Sequence, residues 1–162
     1  MTDSAKTLVA YFSASGQTAR LARTVADATG GHLHEIIPVE RYTAADLDWN
    51  NPKSRSSVEM NDHASRPAVE NRVEGMNGYD TVFVGFPIWW YVAPTIVSTF
   101  LEGYDLSGKT IIPFATSGGS GMGRTVDALR PSAPNARWLS GKVLSPAARE
   151  AEVRRWIEGL GL

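Results

Sequence analysis

Continuous apolar runs alternate along this chain with stretches whose apolar residues recur every three or four positions. Leu8 to Phe12 is an unbroken apolar run, the pattern of a strand covered on both faces. Thr18, Leu21, Ala22, Val25 and Ala26 then follow at helical spacing, and Gly30-Gly31 end that helix. His32 to Ile37 reads as a mixed strand closed by Pro38. Thr81 to Phe86 and Thr110 to Ala115 are further buried-type strands. Pro113 removes a ladder donor from the latter, so a bulge or local perturbation is expected there. Val92, Ile96, Val97, Phe100 and Leu101 form another helical stripe, stopped by Gly103. A short helix is expected around Thr125, Val126 and Leu129. A weak last strand follows within Ala136 to Leu144, interrupted by Gly141. Ser145-Pro146 reads as a helix start with proline at its first position. Val153, Trp156, Ile157 and Leu160 supply the buried face of that helix.

Strands separated by helices predict an α/β fold, a doubly wound parallel sheet with helices on both faces. No repeat or linker divides the chain, so residues 1–162 are expected to form one domain. One segment breaks the rhythm. Val39 to Gly78 is polar and lacks a sustained apolar period, although Thr43 could cap a short helix through Leu47. So long a connection is usually functional or disordered.

Composition narrows the function classes. Of 162 residues, 43% are hydrophobic and 20% charged, and the net charge is -1. No strong field is therefore offered to nucleic acid or to an anionic membrane. Cysteine is absent, which excludes disulfides, thiolate metal sites and a cysteine nucleophile. Neither a signal-peptide apolar core nor a membrane-length apolar stretch is visible. A cytoplasmic location is expected.

Three loops follow apolar strands, and ligands of open parallel sheets bind beyond strand carboxyl ends. The first is Ser13-Ala14-Ser15-Gly16-Gln17-Thr18. Glycine permits a sharp turn, the helix start presents free N–H groups, and three hydroxyls stand by. Such a loop can hold phosphate without a lysine. A serine-rich helix cap is the blander alternative. The second is Pro87-Ile88-Trp89-Trp90-Tyr91. Three consecutive aromatics cannot all enter one core, so at least one ring should line a cleft and stack on a planar ligand. Packing beneath a helix, or at a homodimer contact, is the alternative. The third is Thr116-Ser117-Gly118-Gly119-Ser120-Gly121-Met122-Gly123, whose small residues let backbone approach a ligand, unless it is simply a flexible loop. Gly118 to Thr125 also reads G-x-x-x-x-G-R-T, near the phosphate loop of ATPases. Arg124 stands there in place of the required lysine.

Taken together, these loops resemble those of the flavodoxin family. Ser13 to Thr18 match that family's [ST]-x-[ST]-G-x-T phosphate loop. The G-F-P-I-W-W and T-S-G-G-S runs stand at the matching strand ends. The resemblance spans essentially the whole chain. It is more particular to a subgroup with a P-I-W-W loop and a D-W-x-x-P-x-S-R-S insertion, here Asp48 to Ser56. It implies a five-stranded parallel sheet of order 2-1-3-4-5 and FMN as cofactor. The implied FMN contacts are Ser13, Ala14, Ser15, Gly16, Gln17 and Thr18 for the phosphate. Pro87, Ile88, Trp89, Trp90, Thr116, Ser117, Gly118 and Gly119 would serve the flavin ring. Arg20 could add charge at a distance or simply join a surface ion pair.

Two departures point away from an electron carrier. Carriers of this family are strongly acidic, which helps docking on basic partners, whereas this chain is nearly neutral. The third loop also lacks the aromatic that usually covers the second flavin face. Both favour an FMN-dependent oxidoreductase acting on a quinone or other small acceptor. A one-electron carrier serving a redox partner protein and a binding module without redox work stay as alternatives. No acid–base residue or metal ligand set is compelled. His63 is expected to be solvated, and His32 and His34 lack a third ligand. Tyr42 and Trp49 in the insertion would pack on the sheet edge or reach the flavin's open face.

Overall fold

Alternate residues of the same strands build two separate cores, one on each face of a single sheet. The computed structural model describes residues 6–90, 92–117 and 121–162. Its elements are β1 (Thr7–Tyr11), α1 (Gln17–Thr29), β2 (His32–Glu35), α2 (Arg55–Met60), β3 (Thr81–Pro87), α3 (Thr95–Glu102), β4 (Thr110–Thr116), α4 (Thr125–Leu129), β5 (Arg137–Trp138), β6 (Lys142–Val143) and α5 (Glu150–Glu158). All strand pairs are parallel, in the order β2-β1-β3-β4-β5, with β6 also on β4. Leu8, Ala10, Val82, Val84, Phe86, Ile111 and Ala115 face α3, where Ile96, Val97, Phe100 and Leu101 cover them. Val9, Tyr11, Phe83, Ile112 and Phe114 face the other way, under Leu21, Ala22 and Val25 of α1 and Val153 of α5. Burial on both faces explains why the central strands read as unbroken apolar runs.

The fifth position of the sheet is filled by two short strands, and Pro113 is the physical reason. The Ile111 and Ala115 carbonyls accept from the Leu139 and Leu144 N–H groups. Odd-numbered residues of β4 therefore face the fifth strand, and Pro113 has no N–H to offer there. The ladder lapses between β5 and β6 while β4 itself runs unbroken. A Cβ at Gly141 would lie 2.6 Å from the Pro113 carbonyl oxygen and 2.5 Å from Met122 Cε. Glycine is thus required where the two backbones close up. The expected perturbation lies in the partner strand, not in β4.

Several sequence expectations need correction. Val92 lies outside α3, which starts at Thr95 after Pro94. Ser145-Pro146 opens a turn, with Ala147 N–H donating to Ser145 Oγ and Ala148 N–H to the Ser145 carbonyl. The helix itself starts at Glu150. Strand β2 stops at Glu35 instead of Ile37. In the long β2–β3 connection, residues 43–47 form a turn in which Thr43 and Asp46 bond reciprocally. The helix there is α2, capped by Ser54, whose side chain accepts from Ser57 N–H.

That connection is ordered by its own contacts. Val39 N–H donates to the Ala68 carbonyl and Glu70 N–H to the Ile37 carbonyl, which closes its base. Asn71 brackets the end of β2, its Oδ1 accepting from Ile37 N–H and its Nδ2 donating to the Glu35 carbonyl. No helix among the described residues is long and apolar enough to cross a membrane.

Candidate functional site

The strand order reverses at β1, since β2 lies on one side of it and β3 on the other. Helix α1 leaves on one face and α3 lies on the opposite face. The carboxyl ends of β1 and β3 therefore open a crevice, the usual ligand position in such sheets.

The first loop enters this crevice directly from β1. Gly16 adopts φ 90°, a left-handed conformation that suits glycine, and a Cβ there would meet nothing. Gly16 N–H donates to Ser13 Oγ at 3.1 Å, which leaves the Ser13 hydroxyl proton free to donate elsewhere. No side chain caps α1, so the serine-rich segment is not serving as an ordinary helix cap. The first helical N–H groups at Gln17, Thr18 and Ala19 have no acceptor four residues back. Ser15, Gly16 and Gln17 are exposed around that N-terminus. A 13-residue helix ends its dipole here, and the loop fits an anion. Thr18 is the exception among the expected donors. It is buried, and its hydroxyl lies 2.8 Å from that of Thr116.

The second loop is fixed on two sides. Ile88 N–H donates to the Thr116 carbonyl at 2.9 Å, which continues the Pro87–Thr116 register of β3 and β4. Trp89 and Val92 exchange backbone hydrogen bonds around a tight turn. Within it Trp90 takes φ 49°, the one positive value on a non-glycine residue among those described. A large side chain in that region is strained and held by its surroundings. The two tryptophans part company. Trp90 is 45% exposed, whereas Trp89 is half-buried in a three-ring cluster. Its ring centre lies 5.8 Å from Phe12 and 5.5 Å from Tyr42, and Phe12 and Tyr42 are 5.4 Å apart, all edge to face. Tyr91 lies outside the described residues.

Of the third loop, Thr116 is buried and Ser117 half-buried at the end of β4, while Gly118 and Gly119 lie outside the described residues. The ATPase-like reading of Gly118 to Thr125 loses support. Thr125 is fully buried and donates its hydroxyl to the Met122 carbonyl, so it is not available to a metal–phosphate.

Of the two insertion aromatics named from the sequence, Tyr42 meets the crevice, and sequence reasoning did not foresee the contacts that hold it. Tyr42 touches Phe12 and Trp89. The Arg55 guanidinium lies 3.8 Å over the Tyr42 ring centre. The Tyr42 hydroxyl donates to Glu59 Oε1 at 2.5 Å, and Arg55 Nε donates to Glu59 Oε2 at 2.9 Å. Burial, reinforced by the Glu59 carboxylate, pushes the Tyr42 hydroxyl well above the usual phenol range, so it stays a donor. The available sequence signal was an aromatic in a polar segment. Trp49, by contrast, is 71% exposed.

His63 is exposed. His32 Nδ1 is hydrogen-bonded with the Tyr79 hydroxyl at 2.7 Å, and His34 packs near Phe100. Arg20 is exposed and joins no ion pair among the described residues. No group of three His, Asp or Glu side chains among the described residues could hold a metal ion.

A parallel sheet reversing at β1, with an uncapped helix N-terminus beside an aromatic loop, defines a doubly wound α/β protein built to hold an anionic ligand. The family follows from comparison: a flavodoxin family model matches residues 6–160, and the chain belongs to that family. It is 50% identical to a candidate flavoprotein from Bacteroides eggerthii, over 97% of this chain and 98% of that one, with a TM-score of 0.92. A candidate flavoprotein from Bacteroides uniformis is 51% identical, over 96% and 99%, with a TM-score of 0.90. A Lactobacillus acidophilus flavoprotein crystallised in complex with FMN shares the fold at 20% identity, over 94% and 99%, with a TM-score of 0.70. No curated protein matches the chain.

Proposed function

We propose that this protein binds FMN in the β1–β3 crevice and works as an oxidoreductase that reduces a quinone or another small acceptor. The observation that carries the reading is the α1 N-terminus, left without a side-chain cap and preceded by Ser13, whose hydroxyl proton remains able to donate. The FMN complex of the Lactobacillus relative supports it. So do the two 50% and 51% identical Bacteroides proteins.

The residues present fit that group. The N–H groups of Gln17 and Thr18 and the hydroxyls of Ser13 and Ser15 would receive the phosphate, and Gly16 adds no side chain to obstruct it. Arg20 contributes positive charge one turn along the helix. Ile88, Trp89 and Trp90 would border the ring, with Pro87, Thr116 and Ser117 along its edge and Gly118 and Gly119 completing that loop. Bound FMN supplies the redox chemistry, while the protein supplies binding, orientation and electrostatics. Trp90 offers an aromatic face, and such a contact adds about 0.5–1.5 kcal/mol beyond burial. A net charge of -1 is far from the strongly acidic balance that steers electron carriers onto basic partners.

Stopped-flow mixing of the FMN-loaded protein with NADPH and a benzoquinone tests the assignment. Quinone-dependent NADPH oxidation is expected. Failure to oxidise NADPH, with ready exchange of single electrons with a redox protein, would return the protein to the carrier class.

A further inference from the structure

The long insertion reaches the crevice through Tyr42, whose ring and hydroxyl are both held. Tyr42 presents its ring to Phe12 and Trp89 at centre distances of 5.4 and 5.5 Å. The Arg55 guanidinium lies 3.8 Å over the centre of the ring. The Tyr42 hydroxyl is tied to Glu59 Oε1. Glu59 is in turn tied to Arg55 through Oε2, and Arg55 Nη1 donates to the Glu40 carbonyl at 2.7 Å. The Arg55–Glu59 pair is only 20% and 13% exposed, where solvent screens it less than a surface pair.

What Tyr42 touches matters more than how it is held. Phe12 immediately precedes Ser13, the first residue of the anion loop. Trp89 lies in the aromatic loop, one residue from Trp90 and its left-handed backbone. One phenol ring thus rests on the residues that lead into both halves of the site. On the β4 side the Ile88–Thr116 hydrogen bond pins the aromatic loop. Without Tyr42, the Trp89 ring would lose one of its two aromatic neighbours among the described residues, and the turn through Trp90 would lose that support.

We infer that Tyr42 is a positioning residue, through which the Arg55–Glu59 insertion sets the Trp89–Trp90 loop against the anion loop. The inference rests on the FMN-binding reading for its ligand effect, but not for its effect on the free chain. The insertion is then a brace for the site.

Amide hydrogen exchange on the ligand-free protein and FMN titration of the same samples test this together. Tyr42→Leu is expected to speed exchange at the Trp89 and Val92 amides by on the order of tenfold, with the amides of β3 and β4 unchanged. FMN affinity should fall about tenfold, the cost of a loosened but intact site. Tyr42→Phe keeps the ring and loses only the Glu59 bond, so it should recover most of both. Unchanged exchange at Trp89 and Val92 in Tyr42→Leu overturns the inference. So does wild-type FMN affinity in that variant when the parent protein binds FMN. If the parent takes up no FMN, the functional reading fails, and the exchange result still decides whether Tyr42 braces the loop. Should Tyr42→Leu not fold, Arg55→Ala removes the guanidinium from over the ring. Faster exchange at Trp89 and Val92 then supports the brace, and unchanged exchange overturns it.

Discussion

Thr18 Oγ1 and Thr116 Oγ1 lie 2.8 Å apart, both buried, and tie the first turn of α1 to the last residue of β4 across 98 positions of sequence. This contact joins the Ser13–Thr18 loop to the start of the third loop. Thr18→Val or Thr116→Val leaves the other hydroxyl without its partner, at about 1–3 kcal/mol. The double variant leaves neither, so its loss should fall short of the two single losses added together. A double-mutant cycle by urea denaturation measures the difference, and strict additivity would show that the contact carries no coupling.

Gly85→Ala probes the central packing. Its Cβ would stand 2.3 Å from the Phe114 ring, which lies across β3 because position 85 has no side chain. Overpacking of this sort costs about 1–3 kcal/mol. Combining it with Phe114→Leu should restore part of the loss, as read by the midpoint of denaturation.

Gly16→Ala separates backbone from space. Nothing stands where the methyl would go, but φ 90° is strained for alanine. Destabilisation of about 1 kcal/mol is expected. Affinity for inorganic phosphate or FMN should fall further, since relaxing the strain moves the Gln17 and Thr18 N–H groups. Isothermal titration of both ligands reads this.

His34 gives a pH signature. Burial lowers its pKa below the usual 6.5, partly opposed by Glu35. Its Nε2 is buried without a hydrogen-bond partner. The unfolded chain therefore binds the proton more readily than the folded one. Stability should fall as pH drops below about 6.5, and level off below the lowered folded value. His34→Phe should flatten that part of the stability–pH curve, measured by denaturation between pH 5 and 7.5, as about the range where histidine titrates.

The sheet and the turn that opens α1 were legible because they rest on local rules. Both-face burial writes itself as apolar runs in β1, β3 and β4, and glycine after a strand marks the turn at Gly16. The insertion was not legible for the opposite reason. Helix α2 reads RSSVEM, has no sustained apolar stripe, and is held by the Ser54 cap and the Arg55–Glu59–Tyr42 contacts. Proline at 146 misled because proline suits a turn as well as a helix start. Trp89 and Trp90 are neighbours in sequence and nothing local separates them. Only the tertiary cluster with Phe12 and Tyr42 assigns one to packing and leaves the other exposed.

The most direct measurement is titration of the ligand-free protein with FMN and, separately, with riboflavin, followed by flavin fluorescence. If the uncapped α1 N-terminus and the Ser13 and Ser15 hydroxyls hold a phosphate, FMN should bind one per chain and at least about a hundredfold more tightly than riboflavin. That is the scale set by losing charged hydrogen bonds of about 1.5–3 kcal/mol each. Ser13→Ala with Ser15→Ala should narrow the gap. Equal affinity for the two flavins, or no binding of FMN, would contradict the assignment.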